Sequence, residues 1–462
     1  MFIWLVVVLS FLTAYVVLAI GVRPSVAIAV VVPLSWLIPA WLSIDVGIEK
    51  IDVKTAVTIA SLLLYSFLPR ATFPWRLVPS DFAALGLVAV HLLSDFWNSG
   101  MQTWSIAFAY VEWVVPYLAG RLAFQNRENI NWIWPTVALI AVLLGVAAIF
   151  EAWAGFNPYE VVFGERPLEG TARNAMRWGF HRAYSTCLHP LYLGVLLCWL
   201  SGFLLYPAWR GLTGHSHIAW LLMPVLGIFA PLATGSRGPF LATFVVMIAS
   251  IFCGWRRLRY GIAIVTVTLL VGFAIVQEPL LDALDRWSGE TQQGRLLKEI
   301  ELNNQVEKFS SARARLTLFK IFWTPLKRAG LLGYGTEALS TFPPNVPTGS
   351  DEVEAMRDIW SVDNTYILVT LRFGYVGLLS FVLLAAASLV QLILVADADR
   401  KSSLNRFVAP LFGSLVALLA LIFTVWMPAE IGFPLLWNFG ASGGLFYSHL
   451  KLRKGNFLDA SN

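Results

Sequence analysis

Runs of about 20 residues with almost no charge recur from the second residue onward, and about that length of helix is needed to cross the ~30 Å hydrocarbon core of a bilayer. Thirteen segments qualify: roughly 2–21, 25–43, 54–68, 81–97, 104–120, 131–154, 188–206, 218–233, 237–253, 260–276, 363–395, 407–426 and 432–450. Pro33, Pro39 and Pro116 interrupt the apolar runs, so twelve spans result if the pair 25–43 and 54–68 is irregular. The expected fold is an all-α integral membrane protein of 12–13 transmembrane helices. Soluble folds are excluded by the same feature, because 58% of the residues are hydrophobic and only 13% charged, with a mean hydropathy of +0.69, well outside the soluble range. Met1–Ile20 has no Lys or Arg before it and no small-residue cleavage site after it, and reads as a retained span rather than a signal peptide. Cys187, Cys198 and Cys253 have no metal-ligand spacing and form no disulfide framework. The net charge of +5 comes without any Lys/Arg cluster interleaved with exposed aromatics, so nucleic acid is not an expected partner.

The basic residues instead follow topology. Fifteen Lys and Arg lie in loops after odd-numbered spans, against Lys50, Lys54 and Arg237 in the short loops after even-numbered ones. The positive-inside rule therefore makes the odd loops cytoplasmic. Two long loops, 155–187 and 277–361, then fall outside, with the N-terminus outside and the C-terminus inside. The chain divides into N-terminal spans (1–154), a first outer loop (155–187), spans joined by a turn at Thr234–Phe240 (188–276), a large, partly helical outer loop (277–361), C-terminal spans (363–450) and a cytoplasmic tail (451–462). The large loop carries ten basic and twelve acidic residues, more than a bare scaffold needs, and is expected to form a folded cap. Asp282–Phe309 has spacing compatible with helix, Ala312–Phe322 is amphipathic, and Thr341–Ser350 is turn-rich.

Four motifs carry chemistry. Thr234-Gly-Ser-Arg-Gly-Pro-Phe240 places Ser236 and Arg237 at an interface between two spans, where an arginine needs a partner or a wet cavity. The helix start behind it points free N–H groups and a positive dipole end the same way, which suits an anion; an arginine snorkelling to headgroups is the plain alternative. Arg315-Leu-Thr-Leu-Phe-Lys320, followed by Gly333-Tyr334-Gly335, is a basic amphipathic helix and a turn, and helical pitch lets only one of Arg313 and Arg315 face a given pocket. Asp363-Asn364-Thr365-Tyr366 opens a span. Asp363 is a helix N-cap candidate, while a carboxylate, an amide and a phenol within one turn also suit recognition and deprotonation of a sugar hydroxyl. His181-Arg182 leads to His189-Pro190, where His189 suits an N-cap with Pro at the first helical position, and Arg182 adds a cation.

In this order and spacing the four motifs resemble the O-antigen ligase and polymerase family, over about residues 180–390; the first 150 residues match only as a stack of hydrophobic spans. The resemblance implies a GT-C-like glycosyltransferase of the bacterial inner membrane. Such an enzyme takes a glycan from an undecaprenyl diphosphate carrier on the periplasmic face and passes it to an acceptor glycan or glycolipid, with no nucleotide sugar, metal or cofactor. Its implied partners are the carrier-linked glycan, the acceptor, membrane lipids, and a chain-length regulator or other polysaccharide-assembly proteins. Arg237 and Arg315 match the arginines held to bind the diphosphate, and Ser236, Arg313, Arg182, Tyr366 and Tyr334 are further substrate-binding candidates. Asp363, with Asn364 and His189, is the catalytic candidate. Asp363 stands where many members, the ligases above all, carry His; this favours a polymerase of O-antigen, capsule or exopolysaccharide over a ligase acting on lipid A core.

Fixed arginines can stabilise a diphosphate leaving group, and a carboxylate can take the acceptor proton as attack from the opposite face inverts the anomeric centre. No Asp-x-Asp pair lies in the outer loops; Asp397-Ala-Asp399 falls on the cytoplasmic side by the charge count. Glu112, Glu151, His91, Asp95 and Arg372 lie within spans, where internal pairing is the simplest reading. The rival is a flippase or exporter of lipid-linked glycans, which calls for charge near the midplane; a non-catalytic scaffold is a third reading.

Overall fold

The structure is a computed structural model that describes residues 24–45, 50–67, 76–100, 103–166, 176–210, 217–275, 277–288, 298–302, 305–309, 313–336, 338, 362–398 and 403–459. The first expected span, the turn-rich 341–350 stretch and Asp399 lie outside these residues.

In chain order the helices are α1 (Pro24–Leu34), α2 (Val53–Phe67), α3 (Pro79–Ser99), α4 (Thr103–Ala109), α5 (Val115–Ala123), α6 (Ile130–Ala154), α7 (Pro158–Phe163), α8 (Pro190–Arg210), α9 (His217–Ala233), α10 (Arg237–Gly254), α11 (Arg256–Ile275), α12 (Gln277–Ser288), α13 (Ala314–Ile321), α14 (Trp323–Arg328), α15 (Thr365–Ala398), α16 (Ser403–Leu421) and α17 (Ala429–Asp459). Among the described residues three helical stretches, Arg127–Ala154, Arg237–Gly254 and Thr365–Ala398, are long and apolar enough to cross a membrane, and shorter apolar helices accompany them. The chain is a helical, multi-pass membrane protein.

The helices pack through small residues, which let backbones approach where no hydrophobic effect drives association in lipid. On α5 and α17, a methyl group at Gly120 would lie 2.0 Å from the Trp437 carbonyl oxygen, and one at Gly440 would lie 1.9 Å from that of Tyr117. Beside this crossing sits an aromatic core in which Trp36, Trp199 and Trp437 meet edge to face at centroid separations of 4.8–5.8 Å. Aromatic quadrupoles favour this arrangement over a sandwich.

Several expectations are corrected. The 25–43 run is helical only to Leu34, with one further 3₁₀ turn over Ser35–Leu37, because Pro39 cannot continue a helix and disfavours helical backbone before it. Among the described residues three short two-stranded antiparallel hairpins accompany the helices of this all-α bundle: β1 (Ser43–Asp45) with β2 (Lys50–Asp52), β3 (Met176–Arg177) with β4 (Phe180–His181), and β5 (Lys298–Leu302) with β6 (Gln305–Phe309). The last pair replaces the helix expected through Phe309. In Lys298-Glu-Ile-Glu-Leu302 the apolar residues alternate with charged ones, a period of two that suits a strand. The 104–120 span is broken by a π-helical turn over Tyr110–Val114, ahead of Pro116.

Helix α15 is also broken. Gly374 has φ 65° and ψ −167°, a conformation closed to other residues. The turn 330–335 docks into the opening: Tyr334 and Gly335 donate N–H bonds to the carbonyls of Leu371 and Arg372, and Tyr375 and Val376 donate to those of Gly330 and Leu331, at 2.7–3.2 Å. Gly333 (φ 71°) and Gly374 have to be glycine, since a methyl group at either would lie within 2.5 Å of the other segment's backbone. The Gly-Tyr-Gly motif and the glycine in the span are thus two halves of one joint.

The charges inside the spans are partnered in different ways. His91 and Asp95 pair one turn apart at 3.4 Å, Asp95 accepts the N–H and hydroxyl of Thr336, and Trp113 donates to His91 Nδ1. Glu151 accepts the N–H of Tyr184 and both the N–H and hydroxyl of Ser185. At the far end of the bundle Arg121 pairs with Asp81 at 3.1 Å and Arg259 with Asp397 at 2.8 Å.

Candidate active site at one end of the bundle

The segment from Arg182 to His189 lies across one end of the helices and is pinned from several sides. Glu151 on α6 holds its Tyr184 and Ser185 backbone, the Asn157 amide donates to the Ser185 carbonyl at 2.8 Å, and Ala40 N–H to the Thr186 carbonyl at 2.8 Å. Ala183 N–H reaches the Ala233 carbonyl at the end of α9. The buried Glu430 of α17 accepts Leu188 N–H. A carboxylate that accepts backbone N–H groups acts here as a clamp on a loop, a use of Glu151 that the sequence did not suggest.

This clamp sets Arg182 against the α9–α10 turn. Its Nε donates to the Thr234 carbonyl at 3.2 Å and its Nη2 to Ser236 Oγ at 3.1 Å. Arg177, on the β3–β4 hairpin, donates to the Gly235 carbonyl at 2.8 Å. Arg237 opens α10 beside them. Burial, then Arg177 and Arg237, draw the Arg182 guanidinium down to about 10, the signature of cations crowded around one turn. Ser236 therefore serves the cluster as a partner of Arg182 instead of capping α10, whose first N–H groups receive no side-chain cap. Arg166 extends the cluster: its guanidinium lies 4.2 Å over the Tyr184 ring, it donates to the Leu188 carbonyl, and its buried Nε and Nη2 have no partner among the described residues. Neither Arg177 nor Arg166 was singled out from the sequence; the only signal was a loop, 155–187, whose basic residues are all arginine.

His189 caps α8 as its sequence position suggests. Its Nδ1 accepts Leu191 N–H at 3.1 Å, ahead of Pro190 at the first helical position. Burial, then Arg182 and Arg166, hold its imidazole down to about 4, so it is neutral at pH 7, with Nδ1 occupied and the proton on Nε2.

The start of α15 corrects one expectation. The capping residue is Asn364, fully buried, whose Oδ1 accepts Ile367 N–H at 3.1 Å; the half-buried Asp363 stands just ahead of it. The loop 422–428 gathers the remaining pieces. Its Ile422 and Val425 carbonyls accept the N–H and hydroxyl of Thr365, and its Thr424 carbonyl accepts from Arg315 Nη2 at 3.3 Å. Trp426 meets Tyr192 edge to face at 6.3 Å, and the Tyr192 ring packs at a tilt against His189 at 5.4 Å. Asp363 and Glu430 both lie within electrostatic reach of the Tyr192 hydroxyl. One end of the bundle therefore holds Arg182, Ser236 and Arg237 on one side, Asp363 and Arg315 on the other, and His189 and Tyr192 between.

Three candidates are placed elsewhere. The Arg313 fork is taken by Glu278 and Asp282 of α12, each at 2.7 Å, so of the two arginines it is Arg315 that turns to the site. The Tyr366 hydroxyl donates to the Leu419 carbonyl at 2.9 Å within a ring cluster with Phe381 and Phe423, and the Tyr334 hydroxyl donates to the Pro325 carbonyl at 3.0 Å. Both phenols hold helices together. Among the described residues no group of His, Cys, Asp and Glu has the arrangement of a metal site.

No curated protein matches the chain. A stretch of about a third of it, residues 222–382, matches the family model described as O-Antigen ligase, and this stretch contains the α9–α10 turn, Arg315 and the start of α15. Over that stretch the chain is similar to the O-antigen ligase family, in line with the motifs and with their convergence at one end of the bundle.

Proposed function

We propose that this chain is a GT-C-like glycosyltransferase that moves a glycan from an undecaprenyl diphosphate carrier to a hydroxyl of an acceptor glycan at the periplasmic face of the bacterial inner membrane, as a polymerase of O-antigen, capsule or exopolysaccharide. The observation that carries it is the convergence of Arg177, Arg182 and Arg237 around the α9–α10 turn with Asp363 at a neighbouring helix start whose capping is done by Asn364. In a poorly hydrated site, fixed arginines stabilise the charge that develops on a diphosphate as the anomeric bond breaks, and the α10 N-terminus adds its dipole. The orphaned nitrogens of Arg166 fit an anionic ligand that supplies acceptors the protein lacks. Beside Arg177 and Gly235 an apolar groove of about 540 Å³ runs between Trp153, Trp178, Phe180, Phe229 and Leu232, a surface that suits a polyprenyl tail with its head at the arginines.

In this mechanism Asp363 takes the proton of the attacking hydroxyl, the hydroxyl oxygen bonds to the anomeric carbon from the face opposite the diphosphate, and the carrier diphosphate leaves with the bonding pair, inverting the centre. His189 is the weaker base, with its Nδ1 engaged and Nε2 protonated. The test is glycan transfer from purified undecaprenyl diphosphate-linked repeat units by the detergent-purified protein. The expected outcome is a ladder of carrier-linked oligomers, and in a deletion strain the build-up of single repeat units; build-up of long carrier-linked chains would mark a ligase, and no transfer to any glycan acceptor would refute the reading.

A further inference from the structure

Beyond the arginine cluster lies a second cavity, of about 380 Å³, that the mechanism above does not use. It is bounded by Asp52 and Thr55 at the start of α2, by Glu112 in the π-helical turn, by Thr336 and Arg372 at the α15 joint, and by Trp426 at the end of the loop that holds Arg315 and Thr365. Trp426 is shared: one side of it meets Tyr192 of the candidate site and it also lines this cavity, so the two spaces adjoin.

We propose that this cavity is the subsite for the acceptor saccharide, a neutral or cationic sugar chain whose terminal hydroxyl is presented to Asp363. The inference rests on the glycosyltransferase reading above. Three observations carry it. First, the lining has the chemistry of sugar recognition: Trp426, with Phe108 and Phe433, offers apolar ring faces for the C–H side of a pyranose, while the Glu112 carboxylate, the Arg372 guanidinium and the Thr55 hydroxyl offer acceptors and donors for its hydroxyls, beside Asp52, which Lys54 and Thr55 N–H already hold, and Thr336, whose hydroxyl donates to Asp95. A lipid tail would find carboxylates in its path, at a desolvation cost no alkyl chain repays.

Second, Glu112 and Arg372 face one cavity without an ion pair between them among the described residues. Arg372 Nε instead donates to the Ala338 carbonyl at 2.8 Å, leaving its fork free to turn to a ligand. The carboxylates of Asp95, Glu151 and Asp81, by contrast, are clamped by protein partners: Asp95 by Thr336, Glu151 by the 184–185 backbone, Asp81 by Arg121. Third, both residues sit where regular helix has been given up, Glu112 in the middle of the π-turn and Arg372 two residues before the Gly374 break. Such irregularities cost stability and cluster at functional positions.

The experiment measures binding and transfer separately. The probe is the carrier-free repeat-unit oligosaccharide of the source organism, observed by saturation-transfer NMR on the full-length protein in detergent, with the parent compared to Glu112→Gln and Ala429→Trp. Ala429 is exposed at the rim of the cavity, so the indole fills space without entering the core, and unchanged thermal melting verifies that the variant is folded. The expected result is a rise in the dissociation constant of about 10- to 100-fold in each variant, from the lost charge-assisted hydrogen bond in Glu112→Gln and from the occupied rim in Ala429→Trp, together with a matching rise in KM for the acceptor and an unaltered KM for the carrier-linked donor. Parent-like binding by both folded variants, or no binding of the oligosaccharide by the parent, overturns the subsite. A parent that binds the oligosaccharide at this cavity yet transfers nothing to it leaves the subsite standing and refutes the glycosyltransferase reading.

Discussion

Asp363 and Asn364 are adjacent, polar and at the same helix start, yet the geometry gives them separable tasks, and two substitutions test that division. In Asp363→Asn the carboxylate is lost while the α15 cap, an Asn364 Oδ1 to Ile367 N–H bond of 3.1 Å, is untouched. The substituted side chain is nearly isosteric and half-exposed, so its effect on stability is expected within about 0.5 kcal/mol. Removing a general base lowers the rate about 100- to 10,000-fold, or roughly 2.7–5.5 kcal/mol of barrier. Asn364→Ala reverses the pattern: it removes the cap at a cost of about 0.5–2 kcal/mol, lowers the melting midpoint by no more than a few degrees (about 2–4 °C), and leaves the carboxylate in place. The assay pairs initial rates of transfer from a purified undecaprenyl diphosphate donor with melting of the same preparations in the same detergent. Asp363→His, whose imidazole can still take a proton, should retain more activity than Asp363→Asn. Parent-like turnover by Asp363→Asn would remove Asp363 as the base, and a melting loss in Asp363→Asn equal to that of Asn364→Ala would refute the assignment of the cap.

Arg237→Lys is expected to abolish polymer while the protein remains in the membrane, because an ammonium cannot reproduce a planar fork on a diphosphate; polymer at near-parent levels would return the residue to a snorkelling role. Arg313→Ala should stay within about fivefold of parent transfer, since its exposed partners Glu278 and Asp282 make it a surface ion pair, whereas Arg315→Ala should fall well below that; equal losses would contradict the placement of the two side chains. Gly374→Ala puts a methyl group 2.2 Å from the Leu331 carbonyl oxygen in a glycine-only conformation, and with the docked turn displaced the loss should reach several kcal/mol (about 3–6). A double-mutant cycle with Gly333→Ala should be strongly non-additive, and additive losses would refute the joint. For His189, the unfolded chain takes up a proton near pH 6.5 and the folded chain only near 4. Stability is therefore whole above the unfolded value and declines as pH falls toward 4. Melting measured from pH 7.5 to 4.5 should fall less in His189→Asn, which still caps but does not titrate, than in the parent; identical profiles would show that His189 is not the group responsible.

What the sequence alone determined is what depends on local composition and period. Apolar runs of membrane length mark the helices, and the segment 237–253 was bounded to within a residue of the observed α10, Arg237–Gly254, because the Gly-rich turn before it and the basic stretch after it are both local signals. The His189-Pro190 cap was legible for the same reason. What only the tertiary structure decided is which side chains share a place. The Arg313 and Arg315 pair differ by two positions on a helix, and only the packing of α12 on one side and the 422–428 loop on the other assigns the first to carboxylates and the second to the site. Asp363 and Asn364 carry similar capping preferences, so the choice between them rests on where α15 starts, which the contacts of Thr365 with Ile422 and Val425 fix. Glu151 read as a charge inside a span in need of a partner; that its partners are backbone N–H groups on a loop 33 residues away is information no period contains. The Gly374 break was invisible because its hydrogen bonds are satisfied by a turn some 40 residues earlier, and a non-local bond leaves no mark on a local pattern.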